Sequence, residues 1–301
     1  MVKLRIDGKP VEVNEGATIL EAAAKAGVAI PTLCYNEELS PAGICRICVV
    51  EVEQKPEPML VTSCNYPVAE GMAVKTMSEA AIKARRLAVE MLMAQHPHSE
   101  KIAKLAVTLG MKEPRFSVKA DECILCRLCL RTCQEVVGAG AITFIARGLD
   151  RENKEARVIW NQEKCIACGS CAFVCPTQAV TMSDNQGKRV INTPSTRMEF
   201  PLKACAKCGN YYAAEKQLAY MSKKGRLPIE RFELCPDCRT EQSTTYVILE
   251  TCPGCGLCVK ACPQSAISLK GKKQPVELDL SKCVRCGACY EACKLKAISV
   301  R

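Results

Sequence analysis

The chain has 301 residues, 24 of them cysteine, with one tryptophan and only 4% aromatic side chains. That length is enough for two or three domains, but so little aromatic bulk limits each to a small apolar core. The formal charge of +10 comes without a basic run interleaved with aromatics, which argues against a nucleic-acid groove, and no apolar run approaches the roughly 18 residues that span a bilayer.

Residues Met1 to Gly8 contain no apolar signal region, so the expected setting is a reducing cytoplasm with the thiolates committed to metal, not a secreted disulfide framework. Small cores are consistent with this, because metal-ligand bonds replace part of the missing apolar burial.

Residues 3 to 13 alternate apolar and polar around Asp7-Gly8, which predicts two short strands joined by a tight turn. Thr18-Ile19-Leu20-Glu21 has the pattern of a capping box, and the helix it starts is expected to reach Ala26 and close at Gly27. Cys34, Cys45, Cys48 and Cys64 follow with the spacing C-x10-C-x2-C-x15-C, and Gly43 lies just before the central pair. A helix is predicted from Ser78 to Gln95, where spacing of the kind Ile82, Arg86, Val89 and Met93 puts mixed faces toward core and solvent, and a second from Ser99 to Leu109, stopped by Gly110. His96 and His98, the only histidines, read as part of the turn between them.

The motif with the most chemical content runs from Cys123 to Cys175. Cys123, Cys126, Cys129 and Cys133 form one C-x2-C-x2-C-x3-C run, and Cys165, Cys168, Cys171 and Cys175 form another, ending in Pro176. This spacing wraps three thiolates around one 4Fe-4S cubane and sends the fourth to its neighbour. The expected ligand sets are therefore Cys123, Cys126, Cys129 with Cys175, and Cys165, Cys168, Cys171 with Cys133. Gly138-Ala139-Gly140 between the halves lacks the third glycine and the βαβ context of a dinucleotide loop. It reads as a turn into a strand over Ala141 to Ala146, and a further strand is expected from Ala179 to Met182. The polar stretch 183 to 200, with Asp184 to Arg189 and Pro194-Ser195, predicts a domain boundary.

Cys205-x2-Cys208 and Cys235-x2-Cys238 differ in kind, forming two CxxC knuckles around a helix expected near Ala213 to Lys223. Paired knuckles suit one tetrahedral ion, and zinc is the preferred occupant. A further 4Fe-4S cluster or a mononuclear iron are the alternatives. The last fifty residues then repeat the earlier theme. Cys252, Cys255, Cys258 and Cys262 form one cubane run and Cys283, Cys286, Cys289 and Cys293 the other, each followed by Ala-Ile-Ser at the same offset. Here Cys293 is expected to complete the first cubane and Cys262 the second. Six such centres, each near −2 with its thiolates, contribute about −12 and bring the loaded chain near −2. The basic excess is ligand compensation.

The strand-strand-helix opening is how a β-grasp ferredoxin begins. A plant-type 2Fe-2S ferredoxin has a tighter first cysteine gap. The wider gap, followed by a two-cluster unit, resembles the N-terminal iron-sulfur region of the large (75 kDa-type) subunit of respiratory complex I. It is equally similar to the corresponding part of NAD-linked and electron-bifurcating hydrogenases and formate dehydrogenases. The resemblance covers roughly residues 1 to 185. It implies that Cys34, Cys45, Cys48 and Cys64 hold a 2Fe-2S cluster, a zinc site being the alternative for those four. In that family a His and three cysteines bind a further cubane after the first long helix. Residues 99 to 122 contain no cysteine here, so that cluster is expected to be absent.

The expected fold class is α+β: a β-grasp 2Fe-2S ferredoxin domain followed by two bacterial-type 2[4Fe-4S] ferredoxin domains, with a zinc-ribbon-like insert between them. The expected boundaries are 1–77 (β-grasp), 78–118 (helical connector), 119–185 (first two-cluster domain), 186–245 (linker and knuckles) and 246–301 (second two-cluster domain). With every cysteine assigned to a centre and no flavin, pterin, nicotinamide or P-loop pattern present, no catalytic residue is expected in this chain. The resemblance implies an electron-transfer subunit of a multi-subunit NAD(H)-linked oxidoreductase, of a kind that includes electron-bifurcating assemblies. An FMN-carrying flavoprotein of the NADH-dehydrogenase type would lie on one side. On the other would be ferredoxin or a terminal module: a hydrogenase, a formate dehydrogenase, or a tungsten or molybdenum reductase. The competing readings are a diffusible polyferredoxin, a self-standing iron-sulfur enzyme, and a regulatory or nucleic-acid-binding iron-sulfur protein.

Overall fold

A computed structural model describes residues 1–53, 57–118, 122–146, 156–241, 246–271 and 274–300. The chain forms two compact units, one of Met1–Lys203 with Ala213–Ile229 and one of Ala204–Tyr212 with Glu230–Arg301.

The first unit opens with strands β1 (Val2–Ile6) and β2 (Lys9–Val13), paired antiparallel. Both turn residues, Asp7 (φ 49°) and Gly8 (φ 80°), take the left-handed conformation that a two-residue hairpin demands. Leu4, Ile6 and Val13 point into the core. Helix α1 (Ile19–Lys25) packs Ile19, Ala22 and Ala23 on the same core. Its capping box is complete: Glu21 N donates to Thr18 Oγ1 (3.3 Å), and Thr18 N donates to Glu21 Oε2 (2.7 Å). Thr18→Ala is expected to cost about 1 kcal/mol of local stability, read as faster amide hydrogen exchange across residues 19–25 with the rest of the chain unchanged.

Strands β3 (Val49–Glu53), β4 (Met59–Thr62) and β5 (Ala73–Lys75) complete a five-stranded sheet of order β2-β1-β5-β3-β4, in which only β1 and β5 run parallel. Asp7 fastens the far end of β5 by accepting from Thr76 N (2.7 Å) and Thr76 Oγ1 (2.6 Å).

Helices α2 (Glu79–Gln95) and α3 (Glu100–Thr108) follow. The buried stripe of α2 is Ala81, Arg85, Val89, Glu90 and Ala94, and its two charged members are held there by electrostatics. Arg85 turns inward because its Nε donates to Val49 O (2.8 Å), and Glu90 because it accepts from the backbone and guanidinium of Arg115. His96, buried, caps the end of α2.

Next come α4 (Leu128–Arg131), a π-helical turn (Thr132–Val137), β6 (Ile142–Ile145), β7 (Arg157–Trp160) and α5 (Ser170–Phe173). β6 and β7 form a two-stranded sheet in which Ile142 faces Trp160. The expected strand at Ala179 to Met182 begins later, as β8 (Thr181–Asn185), after buried Ala179 and Val180. The polar stretch read as a boundary is a meander instead: β8, β9 (Lys188–Asn192) and β10 (Arg197–Ala204) pair antiparallel through a tight turn at Gln186 (φ 45°) and Gly187 (φ 80°). Strand β11 (Tyr211–Ala214) completes that sheet, and α6 (Glu215–Gly225) begins two residues later than the helix expected from Ala213.

The second unit contains α7 (Pro236–Glu241), β12 (Tyr246–Ile248), α8 (Leu257–Ala261), β13 (Ile267–Ser268), β14 (Glu277–Leu278), α9 (Ala288–Ala292) and β15 (Ile298–Val300). β12 pairs with β15 and β13 with β14. Its apolar core holds Ile267, Val276, Ala297 and Ile298 together with Cys252, Cys258 and Cys289.

Candidate metal centres

Each cubane-type loop has the same backbone design. The residues just before and just after the second cysteine are left-handed: Leu125 and Arg127, Ala167 and Gly169, Gly254 and Gly256, Arg285 and Gly287. Left-handed residues on either side of a cysteine turn backbone N–H groups toward the loop centre, where anionic sulfur belongs. Glycine does this without strain. Leu125, Arg127, Ala167 and Arg285 hold it at a cost of about 1 kcal/mol or more each, strain of the kind that collects at functional sites.

In three of the four halves the fourth cysteine has its own backbone donor. Ala266 N donates to Cys262 Sγ (3.3 Å) and Ala297 N to Cys293 Sγ (3.2 Å), which gives the repeated Ala-Ile-Ser its role. Ala141 N makes the same bond to Cys133 Sγ (3.3 Å) across a longer gap, taken up by the π-helical turn and left-handed Gly138.

In the first unit, Cys133, Cys165, Cys168 and Cys171 line one small cavity, with Ile142, Trp160 and Ile191 among its walls. Burial pushes the Cys171 thiol up to about 12, with Cys168 and Cys165 adding to it. Cys133 and Cys165 are raised first by burial and then by neighbours that include Cys168. Burial likewise pushes Cys126 up to about 12, helped by Cys123, Cys175 and Cys34, and raises Cys129, which senses Cys126, Cys123, Cys171 and Cys175. These sulfurs are too crowded and too dry to ionise without a cation, which is the environment that metal binding resolves by displacing the protons.

Arg189, buried on β9, donates to Ala167 O (2.9 Å) and pairs with Asp184 through Nε and Nη2 (2.8 and 2.7 Å). It thereby fastens the β8–β9 hairpin to the Cys165 loop.

Cys34, Cys45, Cys48 and Cys64 gather as two thiol pairs. Hydrogen bonding from the Cys45 thiol holds Cys34 down to about 6, and the Cys64 thiol does the same for Cys48; their donors are raised. Cys45 N also donates to Cys34 Sγ (3.4 Å). Gly43 (φ 62°) lies against Asn65 and Thr62, where an added Cβ would come within 2.8 Å of Asn65 Nδ2.

Cys34 shares an apolar cluster with Leu39, Cys126 and Leu128. Arg131, buried next to it, donates to Cys34 O and Ser40 O (2.6 Å each), while Glu135 accepts from Ser40 N (2.7 Å). Sequence reasoning missed Arg131 and Arg189, since each anchors a backbone carbonyl distant in the chain or on another element.

The second unit repeats the arrangement. Cys262, Cys283, Cys286 and Cys289 line a small cavity with Ile267 and Leu278. Cys258 is raised first by burial and then by Cys252, and Cys289 by burial and then by Cys283 and Cys286. Cys255 and Cys286 are exposed.

The knuckle cysteines stand apart. The sulfurs of Cys205, Cys208, Cys235 and Cys238 all lie within 4.8 Å of one another, and among the described residues no other cysteine set draws together so tightly. The Cys208 and Cys235 sulfurs are 3.8 Å apart, close to the roughly 3.8 Å edge of a tetrahedron with metal–sulfur bonds of about 2.3 Å. A cubane, which hangs each thiolate on a separate iron, spreads its sulfurs further. Backbone N–H groups of Cys208 and Cys235 hold Cys205 down to about 6. Cys235 N reaches Cys205 Sγ at 3.3 Å, and Tyr212 Oη donates to Phe232 O beneath the site.

Comparison with known proteins fits this picture. The 2Fe-2S iron-sulfur cluster binding domain model matches residues 1–79, a 4Fe-4S binding domain model residues 158–181, and a 4Fe-4S dicluster domain model residues 251–297. The chain therefore carries a 2Fe-2S domain and two 4Fe-4S ferredoxin domains with mixed helix and strand. The NADPH-Fe(3+) oxidoreductase subunit alpha of Geobacter sulfurreducens is 34% identical over 206 residues, 59% of this chain and 24% of that protein. The NADH-ubiquinone oxidoreductase 75 kDa subunit of Reclinomonas americana is 35% identical over 207 residues, 60% of this chain and 29% of that protein. An NADP-reducing hydrogenase subunit of Solidesulfovibrio fructosivorans is 36% identical over 211 residues, 60% and 36% respectively. The chain spans between a quarter and about a third of the length of these relatives. Among the described residues no helix is long and apolar enough to cross a membrane.

Proposed function

We propose that this relative of the 75 kDa-type iron-sulfur subunits is a single-electron conductor within a larger oxidoreductase, located in the cytoplasm. Its expected neighbours are an FMN flavoprotein of the NADH-dehydrogenase type and a terminal catalytic module or ferredoxin. The observation that carries the reading is the chain of contacts within the first unit. Cys34 shares an apolar cluster with Cys126, and Cys129 senses both Cys126 and Cys171, so three candidate centres adjoin in sequence. Bound clusters supply outer-sphere one-electron transfer at potentials set by cluster type, N–H···S bonds and exposure. The polypeptide supplies spacing, donors and a dry surround.

In this reading Cys34, Cys45, Cys48 and Cys64 hold a 2Fe-2S cluster in a β-grasp domain. The two thiol pairs fit two metal ions better than one. Cys123, Cys126, Cys129 and Cys175 hold a cubane, as do Cys165, Cys168, Cys171 and Cys133. Cys252, Cys255, Cys258 and Cys293 hold a third, and Cys283, Cys286, Cys289 and Cys262 a fourth. Cys205, Cys208, Cys235 and Cys238 hold one zinc in a zinc-ribbon-like insert, supported by the 3.8 Å sulfur separation.

Anaerobic purification through a tag on this chain is expected to give about 18 iron and one zinc per chain, with an FMN flavoprotein and a metal-dependent catalytic subunit bound. About 22 iron without zinc would make the knuckle site a cubane. A chain arriving alone with full iron would point to a diffusible polyferredoxin.

A further inference from the structure

The only tryptophan of the chain, Trp160, is 6% exposed and turns its indole N–H toward the Cys171 sulfur, where it lowers that thiol without closing a hydrogen bond of full geometry. A buried indole N–H ordinarily finds a full acceptor, because leaving the donor dry is costly. Its ring is a wall of the cavity that Cys133, Cys165, Cys168 and Cys171 share, and its N–H is directed to the side of Cys171. The acceptor that completes it therefore belongs inside that cavity.

The second unit provides an internal control. Its corresponding cavity is lined by Cys262, Cys283, Cys286 and Cys289, and the two hairpins correspond in register and in offset from the cysteines. Ile142 faces Trp160 across β6–β7, Ile267 faces Leu278 across β13–β14, and Trp160 and Leu278 each stand five residues before the first cysteine of their run. Leucine fills this wall adequately where only packing is required. A tryptophan here adds a donor as well as bulk.

We infer that the Trp160 N–H donates to sulfur of the group held by Cys133, Cys165, Cys168 and Cys171, making Trp160 a positioning residue that sets this centre's potential above that of its Leu278-lined counterpart. The inference rests on the ligand sets proposed above. A donor to sulfur stabilises the more negative, reduced side of a one-electron couple, so its removal lowers the midpoint.

The test uses the full chain, purified anaerobically and titrated with dithionite as the one-electron source under EPR. In Trp160→Phe one midpoint is expected to fall, so that at the native midpoint the ratio of reduced to oxidised centre drops about tenfold, or about 59 mV for a one-electron couple, while the other centres hold. Unchanged midpoints with full iron would overturn the inference and leave the ligand sets standing. Should the variant lose iron or fail to fold, the native chain decides. With ¹⁵N-indole tryptophan, a single labelled site, pulsed ENDOR of the reduced protein is expected to show nitrogen coupling, and its absence would refute the bond. A native chain short of iron would instead count against the ligand sets themselves.

Discussion

Cys126→Ser is expected to unfold the first two-cluster region, not merely silence one centre. The elements around Cys126 are too small to hold themselves together. Helices α4 and α5 have four residues each, β6 and β7 form a sheet of two four-residue strands, and the shared core includes Cys129, Cys133, Cys165 and Cys171 among its members. In such a core the thiolate-metal bonds take the place of aliphatic bulk, and metal affinity is folding free energy. Cys126 is buried beside Leu128 and Leu39, so a serine there would add an unpaired hydroxyl to the loss of a ligand. The expected readouts are a loss of about four iron per chain and amide exchange across 123–180 rising toward unprotected rates, with the five-stranded sheet still protected. Cys168→Ser is expected to behave alike through the neighbouring cavity. Normal iron and a normal thermal transition in either variant would show that the ligand assignment is wrong.

What could be read from the chain beforehand follows from how local each signal is. The opening hairpin and the capping box at Thr18 and Glu21 were legible because their chemistry lies within four residues. The cysteine runs were legible because metal geometry dictates their spacing. The buried face of α2 was not legible beyond a mixture of core and solvent positions, because Arg85 and Glu90 point inward to partners 36 and 25 residues away, which no periodicity encodes. Residues 183–200 were misread because a tight hairpin and a linker draw on the same polar residues. The strands on either side of Gln186-Gly187 were too polar to declare themselves, and β8 is exposed throughout. The left-handed Leu125, Arg127, Ala167 and Arg285 were invisible because they oppose local preference. They are held by the loops around the cysteines, where global demand overrides local choice.

Arg131 is where the first two centres are held in relation to each other. The loop carrying Cys34 to Ser40 has no strand or helix, and its attachment to the Cys123–Cys133 region includes Arg131 and Glu135, one helical turn apart. Arg131 Nη1 and Nη2 donate to Ser40 O and Cys34 O, and Glu135 accepts from Ser40 N. Arg131→Met keeps the length of the stem but removes two charge-assisted bonds and leaves two carbonyls short of partners, an expected loss of about 3 kcal/mol in that loop's stability. Arg131→Lys keeps the charge but has one ammonium in place of a two-pronged fork, so it is expected to recover only part of the loss. Hydrogen exchange across residues 34–40 should accelerate strongly in the Met variant and less in the Lys variant, with iron content intact. Rapid-freeze EPR should then show slower electron equilibration between the binuclear centre and the cubanes, because the Cys34–Cys126 approach is no longer fixed. If exchange in that loop is unchanged in Arg131→Met, the loop is anchored elsewhere. If exchange rises while equilibration keeps its native rate, the path between the two centres does not depend on the Cys34–Cys126 approach.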